Sequence, residues 1–149
     1  NQQNRHQDRN GAHNSVNFVN EFKTEWISKQ IDTPCIAFAE KFGKELKERN
    51  FTTSQIRNVF GEIRRIQMNG FEKNKTSFLL LKPKIAYATA RQESMNSKAK
   101  DGAKVFREVF MKAHEAVNAD ENNSEIRFKN FCDFIEAVLA FHKAAGGKD

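Results

Sequence analysis

Cysteine and proline are scarce here: two of each in 149 residues, with seven glycines, one tryptophan and one tyrosine. Cys35 and Cys132 lie far apart, with neither the spacing of a disulfide framework nor that of a metal site. They read as buried, reduced thiols of a cytoplasmic protein. The four histidines, at 6, 13, 114 and 142, form no His-x-x-x-His pair and sit near no cysteine cluster, so no metal ligands are expected. His114 and His142 read as helix-surface or packed residues. No window approaches 18 consecutive apolar residues, so no membrane helix is expected. The first residues lack the basic-then-apolar order of a secretory leader. Also missing are a Gly-rich phosphate loop, a Gly-x-Ser-x-Gly elbow and a His-Glu-x-x-His helix. The carboxylates are scattered and mostly have a Lys or Arg within four residues, the pattern of solvated ion pairs. Glu115 beside His114 is the one pairing that could be imagined as acid and base, and nothing around it supports that. No enzyme, catalytic residue or cofactor is expected.

What is present is phenylalanine and charge. Fourteen Phe supply core material despite the low mean hydropathy, and 149 residues suffice for one domain with a real core. The net charge of +6 is unevenly placed. Residues 1–40 carry 4 Lys/Arg and 5 Asp/Glu, residues 41–91 carry 12 and 4, and residues 92–149 carry 9 and 10. The whole excess sits in the middle third. A segregated basic segment points to a polyanionic partner; a solvated helix surface is the alternative.

Residues 1–15 are rich in Asn and Gln without apolar periodicity and read as a disordered tail. From Val16 onward the periodicity is helical throughout. The pattern predicts an all-α fold, a compact single-domain bundle of five to six helices over 16–149. The first helix is expected from about Asn17 to Ile31, on a Val19–Phe22–Trp26 stripe. The second opens at Thr33 as N-cap with Pro34 at the first helical position; Ile36, Ala39, Phe42, Gly43 and Leu46 share its face. The third is capped by a Thr of Phe51-Thr52-Thr53 and stopped at Gly70. The fourth contains "FLLLKPKIAYATAR". Its Pro83 costs a helix hydrogen bond and predicts a kink or restart between a buried Phe78–Leu81 half and a surface Lys84–Arg91 half. "QESMNSK" reads as a linker. The fifth helix shows a clean stripe of Ala99, Ala103, Phe106, Val109, Phe110, Ala113 and Val117. The sixth, from the cap Ser124 to about Ala145, is apolar nearly all round, which predicts a buried central C-terminal helix.

The basic segment has geometry. At 100° per residue, Ile56, Val59, Phe60, Ile63 and Ile66 span one face of the third helix. Arg57 and Arg64 lie about 20° apart just off its edge and about 10 Å apart along the axis, while Arg65 points away from the core. Arginine grips phosphate with a fixed fork; the alternative is that these side chains snorkel or pair with Glu62. On the fourth helix Lys84, Tyr87 and Arg91 fall within about 60°. An aromatic between cations can stack on a base, but Tyr87 is expected to pack in the core with its hydroxyl at the rim.

Three segments, "TSQIRNVFGEIRRI", "FLLLKPKIAYATAR" and "FCDFIEAVLAFHKAAGG", resemble in that order the small subunit of type III-A CRISPR–Cas effector complexes, the Csm complex of antiviral defence. The likeness runs from about Phe51 to Gly147 and departs in the Asn/Gln-rich tail and at Phe141, where tyrosine is expected. The resemblance implies a non-catalytic helical bundle, with copies of itself stacked as an inner filament beside the backbone and large subunits. It implies contact with guide RNA and target RNA without sequence reading. By motif the expected RNA contacts are Arg57, Arg64, Arg65, Lys82, Lys84 and Arg91, with Lys41, Lys44 and Lys143 as further candidates. The competing reading is a stand-alone basic helical module that binds nucleic acid or a protein.

Overall fold

A computed structural model of the chain describes residues 18–149. The Asn/Gln-rich segment 1–15 lies outside the described residues. Six helices follow in order: α1 Glu25–Ser28, α2 Thr33–Glu48, α3 Arg57–Asn69, α4 Lys75–Met95, α5 Lys100–Asn118 and α6 Ser124–Ala144. Each of the last four is entered through one turn of 3₁₀ helix. Among the described residues there is no strand, only an isolated parallel bridge between Thr52 and Lys148.

The apolar stripes become the core. Every residue of the expected α5 stripe is buried, and α6 buries Phe128, Phe131, Cys132, Phe134, Ile135 and Val138. Those α6 side chains point in several directions, and α6 accordingly packs against α1, α2 and α5. Its solvent side is a narrow polar strip that includes the Lys129–Asp133 ion pair, with Ile126 left exposed. Two aromatic groups line this helix. Phe22, Trp26, Phe38 and Phe134 meet at centroid separations of 5.2 to 6.3 Å, and Phe78, Phe110, His114 and Phe131 meet at 4.2 to 6.3 Å. Truncating one such buried Phe to Ala costs roughly 3–5 kcal/mol. Helices α2 and α6 approach closely at Gly43. A Cβ at Gly43 would meet His142 N at 2.7 Å and Val138 O at 2.8 Å, so only glycine admits this approach.

Helix ends follow local chemistry. Asp32, not Thr33, caps α2: its Oδ1 accepts from Cys35 N at 2.9 Å. Thr33 is the first helical residue, with Pro34 next. At the other end Asn50 takes φ +62, with Asn50 N bonding Lys47 O and Phe51 N bonding Leu46 O. The same double closure ends α6, where Gly146 N bonds Lys143 O and Gly147 N bonds His142 O. Both are Schellman motifs. Gly70, at φ +100, ends α3.

Several expectations change. The single helix over 17–31 is broken: a helical turn at 18–21 and α1 are separated by residues 22–24. Ile36 is exposed. The linker "QESMNSK" is helical as far as Met95, and its Gln92 is buried. No threonine side chain caps α3, and Ser124 is the first residue of α6, its hydroxyl donating to Glu121 O. The largest change concerns Pro83. Helix α4 runs through it without restarting, and one stripe of Phe78, Leu81, Ile85, Ala88, Thr89 and Gln92 stays buried across it. Pro83 sits on the solvent side, as do Leu79 and Leu80. The Leu79 carbonyl that loses its donor therefore lies where water can reach it.

Candidate nucleic-acid interface

Helix α3 is covered on its core side and bordered by an open groove on each flank. The first groove lies between α3 and α4, lined by Arg57, Asn58, Gly61 and Glu62 on one wall and by Pro83, Lys84, Tyr87 and Arg91 on the other. At about 1080 Å³ it exceeds the usual small-ligand pocket. The second lies between α3 and α6 and holds about 490 Å³. Its floor includes Phe60, Ile63, Ile135 and Leu139, and its rim Arg64, Glu136, Lys143 and Asp149.

The connection that begins both grooves is pinned by side chains from distant helices. Thr52 N donates to no helix carbonyl; it donates to Gln92 Oε1 at 3.0 Å while Gln92 Nε2 donates to Thr52 O at 3.0 Å. His142 Nε2 donates to Phe51 O at 2.8 Å, and Thr53 N donates to Lys148 O at 3.2 Å. These bonds satisfy a backbone stretch that belongs to no helix. They set where α3 starts, and so where Arg57 stands.

The expected cations divide by what they touch. Arg57, Lys84 and Arg91 come together in the α3–α4 groove and make no hydrogen bond or ion pair among the described residues. Arg64 is likewise unpaired but belongs to the α3–α6 groove. Lys143 shares that groove, held 3.0 Å from Asp149 Oδ2. Arg65 is committed: its guanidinium donates to Glu62 Oε1 at 2.7 Å and to Ser77 Oγ at 3.0 Å, tying α3 to the start of α4. Lys82 turns to the other side of α4 and approaches Glu115 at 3.4 Å. Lys41 and Lys44 are exposed on α2 and line neither groove.

The acids are quieted. The hydrogen bond from Arg65 holds the Glu62 carboxyl below its ordinary range, with the charge of Lys84 adding to it. The Asp149 carboxyl is lowered mainly by hydrogen bonds from Lys143 and Thr53, with Arg57 contributing charge. Tyr87 is 68% exposed, which overturns its expected place in the core; its ring stands at the groove between Lys84 and Arg91.

Sequence reasoning passed over Asn58 and Gly61, both in the α3–α4 wall. The wheel could have found Gly61, which lies between Arg57 and Arg64 on the same side of α3. A Cβ there would meet nothing within 4 Å. Glycine in an exposed helix interior costs about 1 kcal/mol relative to alanine, and nothing among the described residues requires it.

Among the described residues, the histidine and the thiols that the sequence singles out are buried in packing. His114 is buried, stacked on Phe78 at 4.2 Å, and its Nε2 donates to Phe78 O at 2.7 Å. Glu115 faces outward to Lys82. Burial pushes the thiols of Cys35 and Cys132 up to about 12, so neither is a ready nucleophile or ligand. Among the described residues no group of three or more His, Cys, Asp or Glu could hold a metal ion, and no helix is long and apolar enough to cross a membrane.

Comparison with curated proteins and with solved structures returns no match. The model of one family, Csm2 Type III-A, matches residues 31–148, from just before α2 to the C-terminal tail. That span takes in the α3–α4 groove and all of the α3–α6 groove but Asp149, and the chain belongs to the type III-A Csm2 family, the small subunit of a CRISPR–Cas effector complex.

Proposed function

We propose that this small subunit holds guide–target RNA by its backbone, as a non-catalytic, cytoplasmic component of the Csm complex stacked with copies of itself beside the backbone and large subunits. The observation that carries the reading is the α3–α4 groove. Two segments some 25 residues apart in sequence bring Arg57, Lys84 and Arg91 together with an exposed tyrosine, and among the described residues no acid forms an ion pair with those cations. Unpaired arginines and lysines along an open groove suit phosphates, which give affinity without sequence choice. Sequence choice then rests on guide–target base pairing. Arg64 and Lys143 extend the basic surface across α3. Arg65, Lys82, Lys41 and Lys44 could join only by leaving their present partners or through a different face.

Co-expression with the other Csm subunits and a guide RNA tests this. The chain is expected to co-purify in several copies, and the Arg57→Ala/Lys84→Ala/Arg91→Ala variant to assemble with reduced RNA retention. Failure of the folded wild-type chain to enter the complex would overturn the reading.

A further inference from the structure

We propose that Gly61 is a crossing point, where one RNA strand passes from the α3–α4 groove over α3 into the α3–α6 groove. The inference rests on the RNA-binding reading and assigns the path of the strand at that site. On the wheel of α3, the residues lining the first groove (Asn58, Glu62) and those lining the second (Phe60, Gln67) lie on opposite flanks. The outward crest between the flanks carries Arg57, Gly61, Arg64 and the exposed Met68. Gly61 is thus a notch in an otherwise side-chain-covered ridge. Arg57 stands about 6 Å before it along the axis and Arg64 about 4.5 Å after it. Arg57 faces the first groove and Arg64 the second.

A glycine that serves no turn, no positive φ and no helix crossing among the described residues suits a place where something else comes close to the backbone. The empty space over its Cα fits that role. The flanking charges select the occupant: two unpaired guanidiniums, one on each side of the notch, suit a polyanion and repel a cationic surface. A phosphodiester crossing there can be gripped on both sides. The strand would then meet Lys84, Tyr87 and Arg91 on one side of α3 and Lys143 on the other.

The test uses the full chain and a fluorescein-labelled oligouridylate, with anisotropy for affinity and thermal melting for the fold. Gly61→Ala and Gly61→Gln should both melt a few degrees higher than wild type, since each removes a helix-interior glycine. Affinity should fall about threefold for Gly61→Ala and about tenfold or more for Gly61→Gln as the added bulk lifts the strand off the arginines. In the Gly61→Gln background, Lys143→Ala should have no further effect on affinity. Arg57→Ala is the control. If Arg57→Ala weakens binding while Gly61→Gln binds within twofold of wild type, the crossing is wrong and the groove reading stands. If neither variant changes binding, the RNA reading itself falls. If Gly61→Gln binds RNA normally but no longer assembles with its own copies, the notch belongs to a protein contact and the crossing is overturned.

Discussion

The two grooves on either side of α3 contain similar residues and differ in how their charges are used. In the α3–α6 groove Lys143 is held by Asp149, Glu136 shares the rim, and the C-terminal tail is bonded back through Thr53. In the α3–α4 groove the one lining acid, Glu62, is taken by Arg65 from outside the cation row, so Arg57, Lys84 and Arg91 form no ion pair among the described residues. The apolar content differs too: the α3–α6 groove has a floor of Phe60, Ile63, Ile135 and Leu139, the α3–α4 groove the Tyr87 ring at its edge. A charge tally cannot separate them. Pairing decides which cations remain to meet a polyanion, because an exposed ion pair presents little net field beyond its own neighbourhood.

The largest effect expected from this contrast is on RNA affinity. Replacing Arg57, Lys84 and Arg91 together with alanine should weaken oligouridylate binding on the order of 100-fold and reduce the salt slope by roughly 2, as three phosphate contacts are lost. The double variant Arg64→Ala/Lys143→Ala should cost about tenfold and change the slope by roughly 1 or less. All five side chains are exposed, so circular dichroism and melting temperature should stay close to wild type. Equal losses from the two variants would erase the distinction between the grooves.

The second effect is on how firmly each groove is framed as pH falls. His142, which holds Phe51 O at the α3–α6 side, is kept below its ordinary value of 6.5 by burial, with Lys143 working in the same direction and the Phe51 bond and Asp149 against it. His114, under α4, is lowered for the same main reason. A group whose folded pKa is depressed contributes stability above its unfolded value, and that stability is lost as pH falls toward the folded pKa. Melting temperature should therefore drop as pH falls below about 6.5. Hydrogen exchange at Thr52 and Thr53 should quicken over that window, while the α3–α4 wall, which has no histidine among its lining residues, changes less. His142→Gln keeps a donor for Phe51 O without the titration and should flatten the exchange response at Thr52 and Thr53. An unchanged pH profile in that variant would remove His142 as its source.

How much of this was legible in the sequence varies with the range of the interaction. The α5 stripe and the many-sided α6 could be read because helix periodicity is local and the buried residues repeat every three to four positions. The row Lys84, Tyr87, Arg91 could be read for the same reason. Its exposure could not, because whether Tyr87 faces the core depends on where α3 lies against α4. At Pro83 the helix penalty reads as a kink or a restart, and the helix does not restart there. At an exposed position the helix tolerates the lost bond and the buried stripe continues. The Gln92–Thr52 and His142–Phe51 bonds, which place α3, span 40 and 91 residues and leave no local signature. Gly61 was visible but unweighed: only the empty space above it shows that the chain's own packing does not explain it.

The smallest effect tests the one aromatic that separates the grooves. Tyr87 has its ring at the α3–α4 rim and no ring contact or hydrogen bond among the described residues, so its replacement should leave stability nearly unchanged. If the ring stacks on a base, Tyr87→Phe keeps the stacking surface and should bind oligouridylate as wild type does. Tyr87→Ala removes about 1 kcal/mol of stacking and should weaken binding about fivefold. If the hydroxyl instead bonds a phosphate, the two variants converge, and Tyr87→Phe loses nearly as much as Tyr87→Ala. The salt dependence separates the two further: loss of a neutral stacking contact lowers affinity at every salt concentration by the same factor and leaves the slope unaltered. A Tyr87→Ala variant with unaltered affinity would leave the α3–α4 groove a purely electrostatic surface, different from its neighbour in charge pairing alone.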